Sequence, residues 1–251
     1  MPNYFLCVQY KGKKFAGFQI QDNAITVQGE VEKAMEIFFK QKIQLTGSSR
    51  TDAGVHARKN YFHFQSDLEN VPGAVYHLNA ILMGDIAVQG IYSVPEDAHA
   101  RFTAVAREYS YHIYDSKNPF LEDHSWYYPY PLDIGLMNEA ALIVQGFHDF
   151  TSFSKKNTQV FTNNCTLEYA RWTVEGEEIL FRVKGNRFLR GMVRALVGTM
   201  VKVGRGKISV KDFADLLAAR DNSLADFSAP AHGLFLEDVE YPPELQQLIT
   251  Q

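Results

Sequence analysis

Cysteine is scarce. The 251 residues hold only Cys7 and Cys165. Two distant cysteines make neither a disulfide framework nor a zinc site, and a reducing, cytoplasmic compartment is expected. No apolar run approaches the roughly 20 residues that span a membrane as a helix. The N-terminus shows no basic segment followed by an apolar stretch, so no secretory leader is expected. The eight histidines form no metal-ligand pattern, and neither a metal nor another cofactor is expected. Gly47-Ser48-Ser49 lacks the glycine spacing of a nucleophile elbow, which leaves serine hydrolysis unsupported. Gly204-Arg205-Gly206-Lys207 lacks the full phosphate-loop pattern and reads as a basic turn, which removes the support for phosphoryl transfer. Low-complexity tracts and short repeats are missing too.

What is present is ample apolar material, 46% of residues, enough for one large domain or two modest ones. Asn3 to Gln9 reads as a strand. Thr26 caps a helix in which Val27, Val31, Ala34, Met35 and Phe38 recur at helical spacing. Ile43 to Thr46 and Tyr61 to Gln65 read as strands, Ala74 to Met83 as a helix, and Ile86 to Val94 as a strand. The order β-α-β-β-α-β is that of a ferredoxin-like unit. A second half follows the same scheme. Arg107 to Tyr114 is a strand and Ile134 to Val144 a helix. Cys165 to Val174 and Ile179 to Lys184 form a hairpin. Phe188 to Val203 is a long helix, Val210 to Ala219 a helix capped by Ser209, and Leu234 to Tyr241 a closing strand. Asn118 to Pro131 is an irregular crossover. The expected fold is α+β, with two ferredoxin-like (RRM-like) halves of mixed, mostly antiparallel sheet, residues 1–105 and 106–251.

The net charge of −4 hides an uneven distribution. From Arg182 to Lys211 there are nine Lys/Arg (Arg182, Lys184, Arg187, Arg190, Arg194, Lys202, Arg205, Lys207, Lys211) and no acid. Lys11, Lys13 and Lys14 precede the first acid, Asp22. Such a stretch is either a solvated face or the footprint of a polyanion. Ser48 to Ala57 is a polar loop leaving a strand, where Gly54 permits a positive φ. Arg50 and Asp52 sit two apart in it. Asp52 caps backbone amides if the loop is only a turn, and otherwise is a catalytic carboxylate. His56 and His63 read as structural or substrate-side residues. Tyr109, Tyr111 and Tyr114 share a strand, where tyrosines pack a core or stack on exposed bases.

Ser49-Arg50-Thr51-Asp52-Ala53-Gly54-Val55-His56-Ala57 resembles the signature of the tRNA pseudouridine synthase A family. The likeness runs along nearly the whole chain, in order. It takes in Tyr10-Lys11-Gly12 through Gly17-Phe18-Gln19, Asp85-Ile86-Ala87-Val88 and His99-Ala100-Arg101-Phe102. Arg107-Glu108-Tyr109-Ser110-Tyr111 and Asp149-Phe150-Thr151-Ser152-Phe153 follow. Phe188 to Gly198 and Gly233-Leu234-Phe235-Leu236 complete the set. The resemblance implies conversion of uridine to pseudouridine in the anticodon stem-loop of tRNA, by a homodimer. It implies that Asp52 is the essential aspartate and that Tyr109 contacts the target base. Arg194 is implied to pair with the aspartate, in a cleft between the two halves. Arg50 is implied to enter the RNA where the target base leaves the stack. Lys11, Lys14, Arg190 and Arg205 are candidate RNA contacts. The chain departs from the family at Ser49, where glycine is commoner, at Phe18, where tryptophan is usual, and at Lys11, where aspartate is usual.

The reaction breaks the N1 glycosidic bond, turns the base and joins C5 to the same ribose carbon. It is redox-neutral and needs no phosphate donor. An ionised carboxylate serves it either by forming a covalent adduct or by taking a ribose proton to give a glycal. The competing class is a non-catalytic RNA-binding module, which gains nothing from a carboxylate facing phosphates. On either reading, RNA affinity should fall steeply with salt. The expected slope of log affinity against log salt is about −0.7 to −0.9 per phosphate contact, for a handful of contacts. Joint charge reversal at Lys202, Arg205 and Lys207 flattens that slope if the acid-free stretch is the RNA track. Unchanged affinity and slope in a folded variant move the track to Lys14 and Lys155-Lys156.

Overall fold

A computed structural model describes residues 1–155 and 161–250. The elements, in chain order, are β1 (Asn3–Tyr10), α1 (Val27–Phe39), β2 (Thr46–Gly47), β3 (His56–Gln65), α2 (Val75–Ile81), β4 (Ile86–Val94), β5 (Ala106–Tyr114), β6 (Trp126–Tyr127), α3 (Ile134–Gln145), β7 (Leu167–Glu175), β8 (Glu178–Gly185), α4 (Met192–Gly204), α5 (Val210–Ala219), β9 (Leu234–Glu240) and α6 (Pro243–Leu248). They group into two compact units, Met1–Ala106 with Phe235–Gln251, and Arg107–Leu234. No helix among the described residues is long and apolar enough to cross a membrane.

In the first unit β1 lies between β3 and β4, antiparallel to both. Every β1 residue but Gln9 is buried, as a strand covered on both faces requires. β2 adds to β3 antiparallel. β9 adds to β3 in parallel, through His56↔Phe235 and Ala57↔Leu236. This last pairing corrects the domain boundaries expected from sequence. The C-terminal stretch, assigned above with the second half, belongs with the first, because β9 takes its ladder partners from β3. Two cross-strand ion pairs reinforce it, Arg58–Glu237 at 3.1 Å and Lys59–Asp238 at 3.6 Å.

In the second unit the order is β5-β8-β7, all antiparallel, with β6 parallel on β5. Strand pairing within each unit is thus mixed and mostly antiparallel, and the class is α+β. Two side chains fasten α3 to β7, Gln145 by donating to the Ala170 carbonyl (3.0 Å) and Asn138 by a pair of hydrogen bonds to one residue. Asn138 donates to the Trp172 carbonyl (3.1 Å) and accepts from the Trp172 amide (2.9 Å), which copies a ladder pairing. α4 is buried on nearly every side. The basic helix expected from the sequence is therefore a core helix, with Arg194 and Lys202 its only half-exposed positions.

Several boundaries moved for identifiable reasons. Ile43 to Thr46 does not form a strand; only Thr46–Gly47 pairs. The Leu45 amide donates to Glu32 (2.9 Å) and its carbonyl accepts from Gln28 (2.9 Å), so α1 side chains take the bonds a ladder needs. β3 begins at His56, not Tyr61. α4 begins at Met192, not Phe188, because Gly191 just before it is left-handed (φ 75). The helix from Ala74 shortens to α2, entered through a 3-10 turn at Val71–Ala74 that holds Pro72. Asn118 to Pro131 is irregular apart from β6.

Thr26 and Ser209 cap α1 and α5 as the sequence suggests. Ser209 forms a full capping box with Asp212. Ser209→Ala removes one acceptor from an orphan helix amide and should cost about 1 kcal/mol. In a domain of this size that lowers the melting temperature by about 2–4 °C, which calorimetry will resolve.

Candidate active site

The segment leading to Asp52 leaves β3's neighbourhood and re-enters β3 itself. At its start the Ser48 amide donates to the Tyr61 carbonyl (2.7 Å). At its end the Val55 amide donates to the Asp52 carbonyl (3.2 Å), with Gly54 at φ 82 closing the turn. From Ser49 to Asp52 the residues alternate. Ser49 and Thr51 are buried, Arg50 is exposed and Asp52 half-exposed. The Thr51 carbonyl accepts from the Phe18 amide (3.1 Å), and its hydroxyl meets the Tyr10 hydroxyl at 2.8 Å. The inward residues are anchored, so the two outward ones are the cation and the carboxylate.

Beneath this segment lies an aromatic floor. Phe18 is buried and stacks on Phe62, with ring centres 4.7 Å apart and planes within 12°. Its departure from the family's usual tryptophan is therefore a matter of packing. Ser49 needs no glycine either, since it is not among the residues with positive φ. His56 is buried. Its Nδ1 accepts from the Gly12 amide (3.1 Å), and its ring stacks on Phe235 at 4.6 Å. It is a structural histidine, as is His63, whose Nδ1 accepts from the Ala100 amide (3.3 Å). Burial holds the His63 imidazole below its ordinary pKa. Burial likewise pushes the Cys7 thiol up to about 12 and Cys165 up to about 11, so neither supplies a thiolate at neutral pH. Among the described residues no group of three or more His, Cys, Asp or Glu is placed to hold a metal ion.

The remaining candidates divide by unit. Lys11 and Lys14 are exposed in the first, and Lys14 pairs with Asp85 at 2.5 Å. Tyr109, Arg190, Arg194 and Arg205 are in the second. Tyr109 is half-exposed, its ring edge-on to Phe188 at 5.0 Å. Tyr111, two residues on along the same strand face, is fully buried and donates to the Pro230 carbonyl (2.8 Å). Tyr114 is buried too, so of the three strand tyrosines only Tyr109 offers ring surface. Arg194, in the first turn of α4, donates from Nε to the Ala229 carbonyl at 2.6 Å, which fixes its half-exposed guanidinium. Arg190 is exposed. Arg205 lies 4.7 Å from the Tyr130 ring centre and donates to the Pro131 carbonyl (3.3 Å).

The acid-free stretch is not acid-free in space. Arg182 pairs with Glu175, Lys184 with Glu168 (3.0 Å), Lys202 with Asp226 (3.0 Å) and Lys211 with Asp215 (2.6 Å). Lys156 of the alternative cluster lies outside the described residues. The Asp149 to Phe153 motif is scaffold. Asp149 accepts from the Thr151 hydroxyl (2.6 Å) and amide (3.0 Å) and pairs with Arg220 (2.9 Å). The Thr151 hydroxyl bond leads in holding its carboxyl below the usual range. Sequence reading passed over Tyr10 and Phe188 as site residues. The only signal for either was membership of a motif that was read as a whole.

Comparison with known proteins shows which family the chain belongs to. A family model described as tRNA pseudouridine synthase matches residues 140–242. The tRNA pseudouridine synthase A of Parabacteroides distasonis is 44% identical over 248 residues, 98% of each chain. That of Bacteroides fragilis is also 44% identical over 98% of each chain. That of Anoxybacillus flavithermus is 41% identical over 240 residues, 93% of this chain and 96% of that one. The chain belongs to the tRNA pseudouridine synthase A family.

The return of the segment into β3 depends on Gly12. A Cβ there would sit 2.0 Å from the Val55 carbonyl oxygen and 2.5 Å from its carbon, both backbone. Gly12→Ala therefore forces Val55 and Gly54 to move. The expected loss is about 3 kcal/mol or more of stability, read by denaturant titration, together with loss of turnover in the protein that remains folded.

Proposed function

We propose that this chain isomerises uridine to pseudouridine in the anticodon stem-loop of tRNA, with Asp52 as the catalytic carboxylate. The observation that carries the reading is the outward presentation of Arg50 and Asp52 from a buried, hydrogen-bonded segment, in a chain similar over its whole length to tRNA pseudouridine synthases A. A binding module has no use for a carboxylate held beside an exposed cation in this way.

On this reading the target uridine leaves its helix at a cost of a few kcal/mol. Arg50 takes its place in the stack, and Tyr109 offers the base a half-exposed ring, where stacking is worth roughly 1–3 kcal/mol. Asp52 then acts ionised, as nucleophile or as base. Arg194 completes the substrate-binding set, and Lys11, Lys14, Arg190 and Arg205 hold phosphates. No step requires a cofactor, since the reaction moves one glycosidic bond within one nucleotide. We extend the reading to the architecture: each unit is a ferredoxin-like half, and the enzyme works as a homodimer. The β-α-β-β-α-β order of the first unit supports the former and family membership the latter.

Asp52→Asn keeps the shape of the side chain and removes its charge. Pseudouridine formation should fall below detection in nucleoside mapping of treated tRNA, while tRNA binding stays within a few-fold of the parent. Appreciable turnover by a pure preparation of this variant overturns the assignment.

A further inference from the structure

Asn60 of β3 is fully buried, yet it is one of the most polar side chains a core can hold. All of its hydrogen-bonding capacity is spent around the segment that carries Asp52. Its Oδ1 accepts from the Ser48 hydroxyl (2.7 Å) and the Tyr61 amide (3.0 Å). Its Nδ2 donates to the Ser49 carbonyl (2.9 Å) and the Tyr10 hydroxyl (3.1 Å). The Tyr61 amide only donates and the Ser49 carbonyl only accepts, so the carboxamide has one orientation. Tyr10 passes the connection on to the Thr51 hydroxyl at 2.8 Å. Ser48, Ser49 and Thr51 are thereby tied to one point in the sheet. Arg50 lies inside the tied stretch, and Asp52 is the first residue after it.

A buried polar hub of this kind is a poor way to gain stability. An apolar side chain of similar volume avoids the desolvation cost, and replacing all the partners by apolar groups is often nearly neutral. What a fully satisfied network provides is a single conformation. We propose that Asn60 and Tyr10 are positioning residues for the isomerisation, holding the backbone from Ser48 to Thr51 so that Arg50 and Asp52 are set before RNA arrives. Neither side chain touches the uridine; both act through the loop. A catalytic carboxylate displaced by about 1 Å loses on the order of a hundredfold in rate, which is the vulnerability the clamp removes.

The inference rests on Asp52 being the catalytic carboxylate, and the test separates the two. Tyr10→Phe deletes one hydroxyl and no volume; Asn60→Leu deletes the hub. Single-turnover rates at saturating tRNA should fall about tenfold in Tyr10→Phe and further in Asn60→Leu. The tRNA dissociation constant of Tyr10→Phe should stay within twofold, and its melting temperature should fall by only a few degrees, since the Asn60 amide loses one acceptor. Amide exchange at residues 50–55, which needs no turnover, should quicken about tenfold or more in both variants. A folded Tyr10→Phe with parental rate and exchange overturns the proposal, as does a loss confined to the dissociation constant. Should Asn60→Leu fail to fold, Tyr10→Phe alone decides. An inactive parent would remove the reading of Asp52, and the exchange measurement would still decide whether the clamp exists.

Discussion

The site depends on one strand having more neighbours than a strand has edges. β3 pairs with β1 along one side for most of its length. On its other side it pairs with β2 at Phe62 and His63 and with β9 at His56 and Ala57. The stretch between those two short partners is where the Asp52 segment sits, held at Tyr61 by the Ser48 amide. The segment thus replaces a length of neighbouring strand. Ser48 bonds the β3 backbone at Tyr61, while Ser49 and Thr51 are held by the Asn60 carboxamide, the Phe18 amide and the Tyr10 hydroxyl. The segment occupies the gap between two incomplete strands, a place where backbone polar groups have to be satisfied by something other than a regular ladder.

Periodicity made most of this architecture readable in advance. Alternation and apolar content marked β1, β4, β5, β7 and β8 to within two residues, and the caps Thr26 and Ser209 were plain from residue type. What failed did so where tertiary bonds overrode local pattern. Ile43 to Thr46 alternates like a strand, yet Glu32 and Gln28 claim the backbone of Leu45. β3 was under-read because Arg58, Lys59 and Asn60 look like loop residues, although their partners are Glu237, Asp238 and the Ser49 carbonyl. The placement of β9 with the first unit could not be read at all, since nothing in a strand's own sequence says which distant strand it joins. The Asp52 loop was legible as a motif. Its geometry was not, because the burial of Ser49 and Thr51 depends on Tyr10 and Asn60, far away in the chain.

Charge shows the same division. A run of cations without acids reads as a basic surface when sequence distance stands in for real distance. Folding brings Glu168, Glu175, Asp215 and Asp226 to four of those cations. The rest of the run is Arg187, Arg190 and Arg194, ahead of and within the first turn of α4, and Arg205 and Lys207 just after that helix. That is fewer cations than the composition suggested, in a protein whose total charge is negative but whose partner is a polyanion.

The parallel pairing of β9 with β3 has a temporal meaning. The strand residues that flank His56 and Ala57 are made only after the second unit, Arg107–Leu234, has been synthesised. At ordinary elongation rates that interval is on the order of ten seconds. Throughout it the first unit lacks both Phe235, on which His56 stacks, and the acids that face Arg58 and Lys59. The loop is translated early but its seat is finished last. A nascent chain therefore carries its aspartate without a completed site, and a truncated product of aborted translation does the same.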